Sequence, residues 1–335
     1  MRGAGNPVIE ERSEPVIELP SDAVVRIVAA CVCGSDLWPY SGHEAADGLP
    51  MWHEYVAQVL EIGDEVATVA PGDYAVGSFV ISDGTCAICL AGYPSRCVHA
   101  QFVHGTIGVQ AERARIPYAD GTLVKLPGKP DDNLIPSLLA ASDVLGTGWF
   151  AADAAGAGLG KTIAVVGDGA VGLMGVLAAK QLGAERIIIS SRHADRQAMA
   201  RSFGATDVIE ERGDAAVAKI KELTDGLGAH GVVEAVGTQE SMMQAIGSVR
   251  PGGSVGYVGV SHGVSLPGDQ LFFSLIHLHG GPAPVRRYLP DLVDRIWRRE
   301  INPGLVFDRE LPLSDAPEAY RLMSDREAIK VLLRP

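Results

Sequence analysis

Basic residues are in short supply in this chain. Over 335 residues, 28 Lys and Arg stand against 41 Asp and Glu, a formal charge of −13. Such an acidic surface repels nucleic-acid phosphates and anionic lipid, so neither is expected as a partner. A small anion in a locally basic pocket is still compatible with it. Cysteine is sparse too, and odd in number: Cys31, Cys33, Cys86, Cys89 and Cys97. That argues against a disulfide scaffold and for metal-site or core thiols in a reducing, cytoplasmic compartment. The first 15 residues lack an apolar stretch, so no secretion signal is expected there. The longest apolar segment, 138–160, is interrupted by Asp143 and Asp153 and is rich in Gly and Ala. It reads as buried structure, not a membrane span. Fixed-period repeats and low-complexity tracts are absent.

What is present suits a folded chain of about two domains, each of ~100–200 residues. Hydrophobic residues make up 47% and charged residues 21%. Up to about residue 140 the sequence shows short β-branched runs, 23–29, 55–62 and 73–79, broken by turns such as Pro71-Gly72-Asp73. From 144 the rhythm changes. Strand-like runs at 162–166, 186–190, 232–235 and 254–258 alternate with helical periodicity at 169–182, 195–203 and 241–249. This alternation implies βαβ units and a parallel sheet. A last strand is expected at 329–333, packing on either domain.

Gly167-Asp168-Gly169-Ala170-Val171-Gly172 is a G-x-G-x-x-G between the 162–166 strand and a helix. The first Gly permits a tight turn, the second lets the backbone approach a pyrophosphate, and the third allows close helix–strand packing. The helix start offers N–H groups to anionic oxygens. An NAD(H) site wants an acid at the end of the second strand. Here that strand runs into Ser190-Ser191-Arg192, with Arg196 one turn on. A hydroxyl and guanidinium groups favour a 2′-phosphate, so NADP(H) is expected over NAD(H).

Two further sets carry metal chemistry. Cys33-Gly34-Ser35-Asp36, His53-Glu54 and Asp143 offer a thiolate, an imidazole and carboxylates, donors that suit four-coordinate zinc with one exchangeable position. Asp83-x2-Cys86-x2-Cys89-x7-Cys97 has the spacing of a small closed metal knuckle.

With these motifs the chain resembles the zinc-dependent medium-chain alcohol dehydrogenases. The marks are CVCGSD, HE followed by a strand, GDYAV at 72–76, the lobe at 83–97, SDVLGTG, GDGAVG and the closing IKVLL. The resemblance implies a β-rich, GroES-like catalytic domain from 1–143 and 289–335. A doubly wound Rossmann domain, 144–288, would be inserted in it, with the active site in the cleft between. It implies catalytic-zinc ligands Cys33, His53 and Asp143, an exchangeable Glu54, and a Ser35 hydroxyl bonded to the substrate oxygen. It implies structural-zinc ligands Asp83, Cys86, Cys89 and Cys97, hence two zinc per chain, with Asp83 where the family commonly has Cys. Val236, Val258 and Val260 fall in loops bracketing the nicotinamide, and Arg286 matches a residue reaching the pyrophosphate. The implied partners are a small alcohol, aldehyde or ketone and further copies of the chain in a homodimer or homotetramer.

Three features depart from the family. Trp52 stands where Gly is usual before the histidine. A second Gly42-His43-Glu44 competes with His53-Glu54, which is preferred because the expected strand follows it. Trp38 replaces a proton-shuttling His, so proton exit needs water or a cofactor hydroxyl. Trp38, Trp52, Phe79 and Trp149 are candidates for an apolar pocket. His99, His104, His230 and His262 read as structural, His277 and His279 are unassigned, and Cys31 reads as a core thiol. Two other readings are a zinc-free reductase of activated double bonds and a non-catalytic cofactor-binding protein with a decayed metal site.

Overall fold

The computed structural model describes every residue except 46, 47, 49, 52 and 103–107. The chain divides into two units, Met1–Asp143 with Pro284–Pro335, and Val144–Ala283. Its early strands are β1 (Ala23–Cys31), β2 (Tyr55–Ile62), β3 (Tyr74–Gly77), β4 (Val80–Ile81), β5 (Gln101–Phe102), β6 (Arg113–Ile116) and β7 (Leu123–Lys125). Then come β8 (Thr162–Val166), β9 (Arg186–Ser190), β10 (Asp207–Ile209), β11 (Ala229–Glu234), β12 (Val249–Tyr257) and β13 (His277–Gly280). The chain closes with β14 (Arg309–Pro312) and β15 (Val331–Arg334).

The first unit is built on a sheet ordered β14-β15-β1-β2-β3-β7, with β6 also pairing β1. β1, AVVRIVAAC, is buried along most of its length, which its small and β-branched residues permit. Val25, Ile27, Tyr55, Val59, Ile116 and Leu123 share one core cluster. Burying each large member of that set contributes ~1.5–3 kcal/mol. The last strand joins this sheet: β15 runs antiparallel to β1, with Ala30 opposite Leu333 and Cys31 opposite Leu332. That pairing places the residues just before β15 beside the end of β1.

The second unit holds a parallel sheet ordered β10-β9-β8-β11-β12-β13. Strand order reverses between β8 and β11, the doubly wound pattern whose ligands sit outside the carboxyl ends of the strands. β8 and β9 are continuous buried runs, TIAVV and RIIIS, as a sheet covered on both faces requires. Helices Ala170–Gln181, Ala194–Phe203, Gly213–Glu222 and Gln239–Ser248 alternate with these strands. The β-rich unit and the doubly wound α/β unit are the two architectures that the sequence implies. Among the described residues no single helix is long and apolar enough to cross a membrane. The apolar run near 138–160 supplies helices Ile135–Ala141 and Val144–Ala154, both largely buried.

Candidate active site

β1 delivers Cys33 into a short 3-10 turn, Gly34–Asp36. The turn is fixed from inside: Asp36 Oδ2 accepts the Cys33 N–H at 2.8 Å and Gln110 Nε2 at 3.4 Å. Gln110 is held in turn by Tyr320, whose hydroxyl is 3.1 Å from Gln110 Oε1. His53 and Glu54 lie immediately ahead of β2. Asp143 is anchored through its neighbour Ser142, whose Oγ accepts from Tyr55 N at 3.1 Å and donates to Gly77 O at 2.6 Å.

These segments bring ligand atoms of Cys33, His53, Glu54 and Asp143 within 4.8 Å of one another. All four residues are buried, none more than 7% exposed. His53 Nε2 is 3.1 Å from Asp143 Oδ2, and the Cys33 thiol is 3.7 Å from the same oxygen. The Ser35 hydroxyl, two residues on, acts to lower the Cys33 thiol against the other influences on it. Lys330, just before β15, sends its Nζ to Glu54 Oε1 at 2.7 Å and to Val32 O at 3.2 Å. Glu54 Oε2 is buried with no hydrogen-bond partner among the described residues. Burial pushes the Cys33 thiol well up, and the charges of Glu54 and Asp143 add to the rise. Burial alone would lower His53, but its hydrogen bond to Asp143 and the surrounding acids raise it. Lys330 engages one Glu54 oxygen only, and a divalent ion would add positive charge among the remaining buried donors. One sulfur, one nitrogen and carboxylate oxygens, with one oxygen left over, fit a four-coordinate zinc.

The second set also converges. Ligand atoms of Asp83, Cys86, Cys89 and Cys97 lie within 4.8 Å of one another. Asp83 Oδ1 accepts from Thr85 N at 2.8 Å and Cys86 N at 2.9 Å. Burial would raise this carboxyl, but those bonds hold it down to about 2. Backbone N–H groups of Asp83 and His99 point at Cys97 Sγ, and that of Cys89 points at Cys86 Sγ. The Cys86 thiol donates to Cys97 Sγ at 3.8 Å, and both cysteines are free thiols. Ile88, Leu90 and Val98 are exposed around them. The lobe therefore has little apolar core of its own, and a bound metal would serve as one.

In the second unit, Gly167 has φ +112°, open only to glycine at ordinary cost. A Cβ at Gly172 would lie 1.9 Å from Gly167 O, so the third glycine lets the loop close on the helix. A Cβ at Gly169 would meet nothing within 4 Å. The backbone there is uncovered at the start of Ala170–Gln181, whose first turn includes Val171 and has no side-chain cap. This open cradle fits a dinucleotide phosphate.

The tip of the second strand differs from the expectation in one respect. The sequence shows no acid there, yet the loop folds Asp168 onto it: Ser191 Oγ donates to Asp168 Oδ2 at 2.8 Å. Arg196 Nη1 approaches Asp168 O at 3.4 Å and Oδ1 at 3.5 Å. Arg192 is exposed and donates to Glu210 O at 2.8 Å. Asp168 escapes sequence reading because it occupies a variable position of the glycine motif.

Val236 and the pair Val258 and Val260 lie in adjacent loops beyond the carboxyl ends of β11 and β12. Buried Glu234 ties those loops together. Its Oε1 accepts from Val236 N and Gly237 N at 2.9 and 2.8 Å, and its backbone O accepts from Val258 N at 2.9 Å. Val236 and Val260 are nonetheless 43% and 56% exposed, apolar surface available to a planar ring. Sequence reading passed over Glu234 because a strand-end acid has no motif of its own. Arg286 belongs to the first unit, at the start of helix Val285–Trp297, where it donates to Asp120 O at 3.2 Å.

Phe79 meets His53 edge-on, with ring centroids 5.9 Å apart. His43 is exposed and packs on Trp38 at 5.4 Å, while Trp149 is buried in the second unit. Trp52 and His104 lie outside the described residues. His230 Nδ1 accepts from Thr162 N at 3.0 Å, and His99 stacks on Tyr118 at 5.8 Å.

Two family profiles match the chain. "Alcohol dehydrogenase GroES-like domain" covers residues 19–128 and "Zinc-binding dehydrogenase" covers 170–297. The zinc-type alcohol dehydrogenase B of Aspergillus flavus is 32% identical, across 97% of this chain and 78% of that protein. The chain belongs to the zinc-type medium-chain alcohol dehydrogenase family. The alcohol dehydrogenase TADH of Thermus sp. ATN1 shares the fold with a TM-score of 0.90 at 31% identity, covering 100% of this chain and 98% of that one. The NADP-dependent isopropanol dehydrogenase of Thermoanaerobacter brockii is 31% identical over 94% of this chain and 92% of that protein. As a member of the family the chain is an oxidoreductase of small molecules, with zinc and a nicotinamide cofactor.

Proposed function

We propose that this medium-chain dehydrogenase is an NADP(H)-dependent alcohol dehydrogenase or carbonyl reductase. The observation that carries the reading is the buried four-donor cluster with its unpartnered Glu54 oxygen. Cys33, His53 and Asp143 hold the catalytic zinc, and Glu54 is the exchangeable ligand. When bound, zinc supplies a Lewis acid and the nicotinamide a hydride donor or acceptor. Ser35 donates a proton to the substrate oxygen in reduction and takes it back in oxidation. Since Trp38 cannot shuttle it onward, the proton passes from Ser35 to water or a cofactor hydroxyl. Asp83, Cys86, Cys89 and Cys97 hold a second, structural zinc, giving two per chain. The 167–172 loop takes the pyrophosphate, and Val236, Val258 and Val260 flank the nicotinamide. Ser191, Arg192 and Arg196 take the 2′-phosphate, a reading supported by the NADP-dependent relative.

The test is an NADPH-oxidation screen over aldehydes and ketones, with zinc measured on the same sample. Turnover with two zinc per chain is expected. Cys33→Ala is expected to retain NADPH binding and one zinc while losing carbonyl reduction. Undiminished turnover in that variant, or in metal-free protein, overturns the zinc mechanism.

A further inference from the structure

We propose that Asp168 reads the 2′ position of the adenosine ribose and sets the balance between phosphorylated and unphosphorylated cofactor. This rests on the dinucleotide reading of the 167–172 loop. In doubly wound nucleotide domains the acid that accepts the ribose hydroxyl comes from the end of the second strand. Here that strand ends in serines, and the carboxylate reaches the same tip from the loop between β8 and its helix. Ser191 Oγ, 2.8 Å away, locks it there.

The charges around it are incompletely matched. Asp168 Oδ2 is engaged by Ser191, while Oδ1 has, among the described residues, only Arg196 at 3.5 Å, beyond a good N–H···O distance. Oδ1 can therefore accept a hydroxyl proton, and an unphosphorylated ribose offers one. A 2′-phosphate at this tip meets the same carboxylate as a like charge. It gains Arg196 only by drawing it from Asp168, and Arg192 only by drawing it from Glu210 O. The two arginines favour NADP(H) and Asp168 opposes them, so the preference for NADP(H) is smaller than the arginines alone would set.

The experiment is equilibrium binding of NADPH and of NADH, read by calorimetry, on wild type, Asp168→Asn and Arg192→Ala. In Asp168→Asn, NADPH tightens up to about fivefold, the scale of one charge contact at a partly exposed site. NADH weakens about two- to threefold, the scale of replacing a charged acceptor by a neutral one. Asp168→Ser repeats the measurement if the Asn variant misfolds. Kd values that move together in the Asp168 variants, leaving their ratio within about twofold of wild type, overturn the inference and leave Asp168 a loop fastener. Arg192→Ala tests the underlying reading separately: it should weaken NADPH and spare NADH. An Arg192→Ala protein with NADPH affinity intact, beside a shifted ratio in Asp168→Asn, removes Arg192 from the site and keeps Asp168. Wild type that binds neither nucleotide overturns the dinucleotide reading and this inference with it.

Discussion

Replacing Lys330 by methionine removes the cation that faces Glu54 inside the first unit. Nζ and Oε1 are 2.7 Å apart, and both side chains are 1% exposed. Water cannot take over, and the other Glu54 oxygen is unpartnered among the described residues. Methionine keeps most of the volume, so the loss is electrostatic rather than a cavity. Breaking a buried pair from one side costs ~3–5 kcal/mol. For a protein whose whole stability is ~5–15 kcal/mol that is a large share. The assay is urea unfolding of chelator-treated protein, with the slope checked against wild type. Adding Glu54→Gln to Lys330→Met removes the stranded charge and should recover ~2 kcal/mol, the coupling expected of residues in contact. Loading zinc should narrow the gap between Lys330→Met and wild type, because a divalent ion restores positive charge beside Glu54. The reasoning fails if Lys330→Met lies within ~1 kcal/mol of wild type, the range of an exposed pair. It fails too if Glu54→Gln deepens the loss, or if zinc leaves the gap unchanged.

Three other outcomes are expected. Gly172→Ala forces a Cβ against Gly167 O and should abolish NADPH binding in titrations while leaving metal content intact. Cys97→Ala should lower zinc by one equivalent and make the 83–99 lobe the first site cut by protease, while the Cys33 site keeps its metal. Asp120 accepts from Ala67 N and from both Thr68 N and Thr68 Oγ1, at 2.6–3.2 Å. Burial would raise its carboxyl, but the Thr68 and Ala67 bonds and the nearby Arg286 hold it below the usual range. Its stabilisation is thus present above the unfolded value near 3.9 and lost as pH falls through the lower folded value. Asp120→Asn should cost ~1 kcal/mol at pH 7, and the cost should shrink steadily as pH falls below the unfolded value near 3.9, read from unfolding midpoints across that range.

Where a segment's own chemistry decided its structure, the sequence was legible. β2, β8 and β9 begin and end where the runs 55–62, 162–166 and 186–190 do, because their β-branched residues are bounded by glycine and turn residues. Helix Gly213–Glu222 was harder to see: only Ala216 and Ile220 of it are buried, too few to print a helical stripe. β10 is three residues long. The partner of β15 could not be read at all, since pairing with β1 is set some 300 residues away in the chain and not by local pattern.

The candidate site shows the same division, and charge explains it. Donor types and their order stand in the sequence, but the balancing of those donors depends on contacts it does not display. Lys330 looks like an ordinary lysine before a strand, yet β15 pairing on β1 carries it to Glu54. Asp36, whose carboxyl burial pushes up, is held by Cys33 N–H and Gln110 and offers no ligand atom to the cluster. A metal-bound Cys33 would be a thiolate, and with Glu54 and Asp143 it would set three negative charges against one on Lys330, which a divalent ion would balance. The donors and their lysine are thus consistent with the proposed doubly charged metal. At the nucleotide tip the charges are likewise set by contacts the sequence does not display: Arg196 approaches Asp168 and Arg192 bonds Glu210 O, so a 2′-phosphate proposed there would compete with partners already in place.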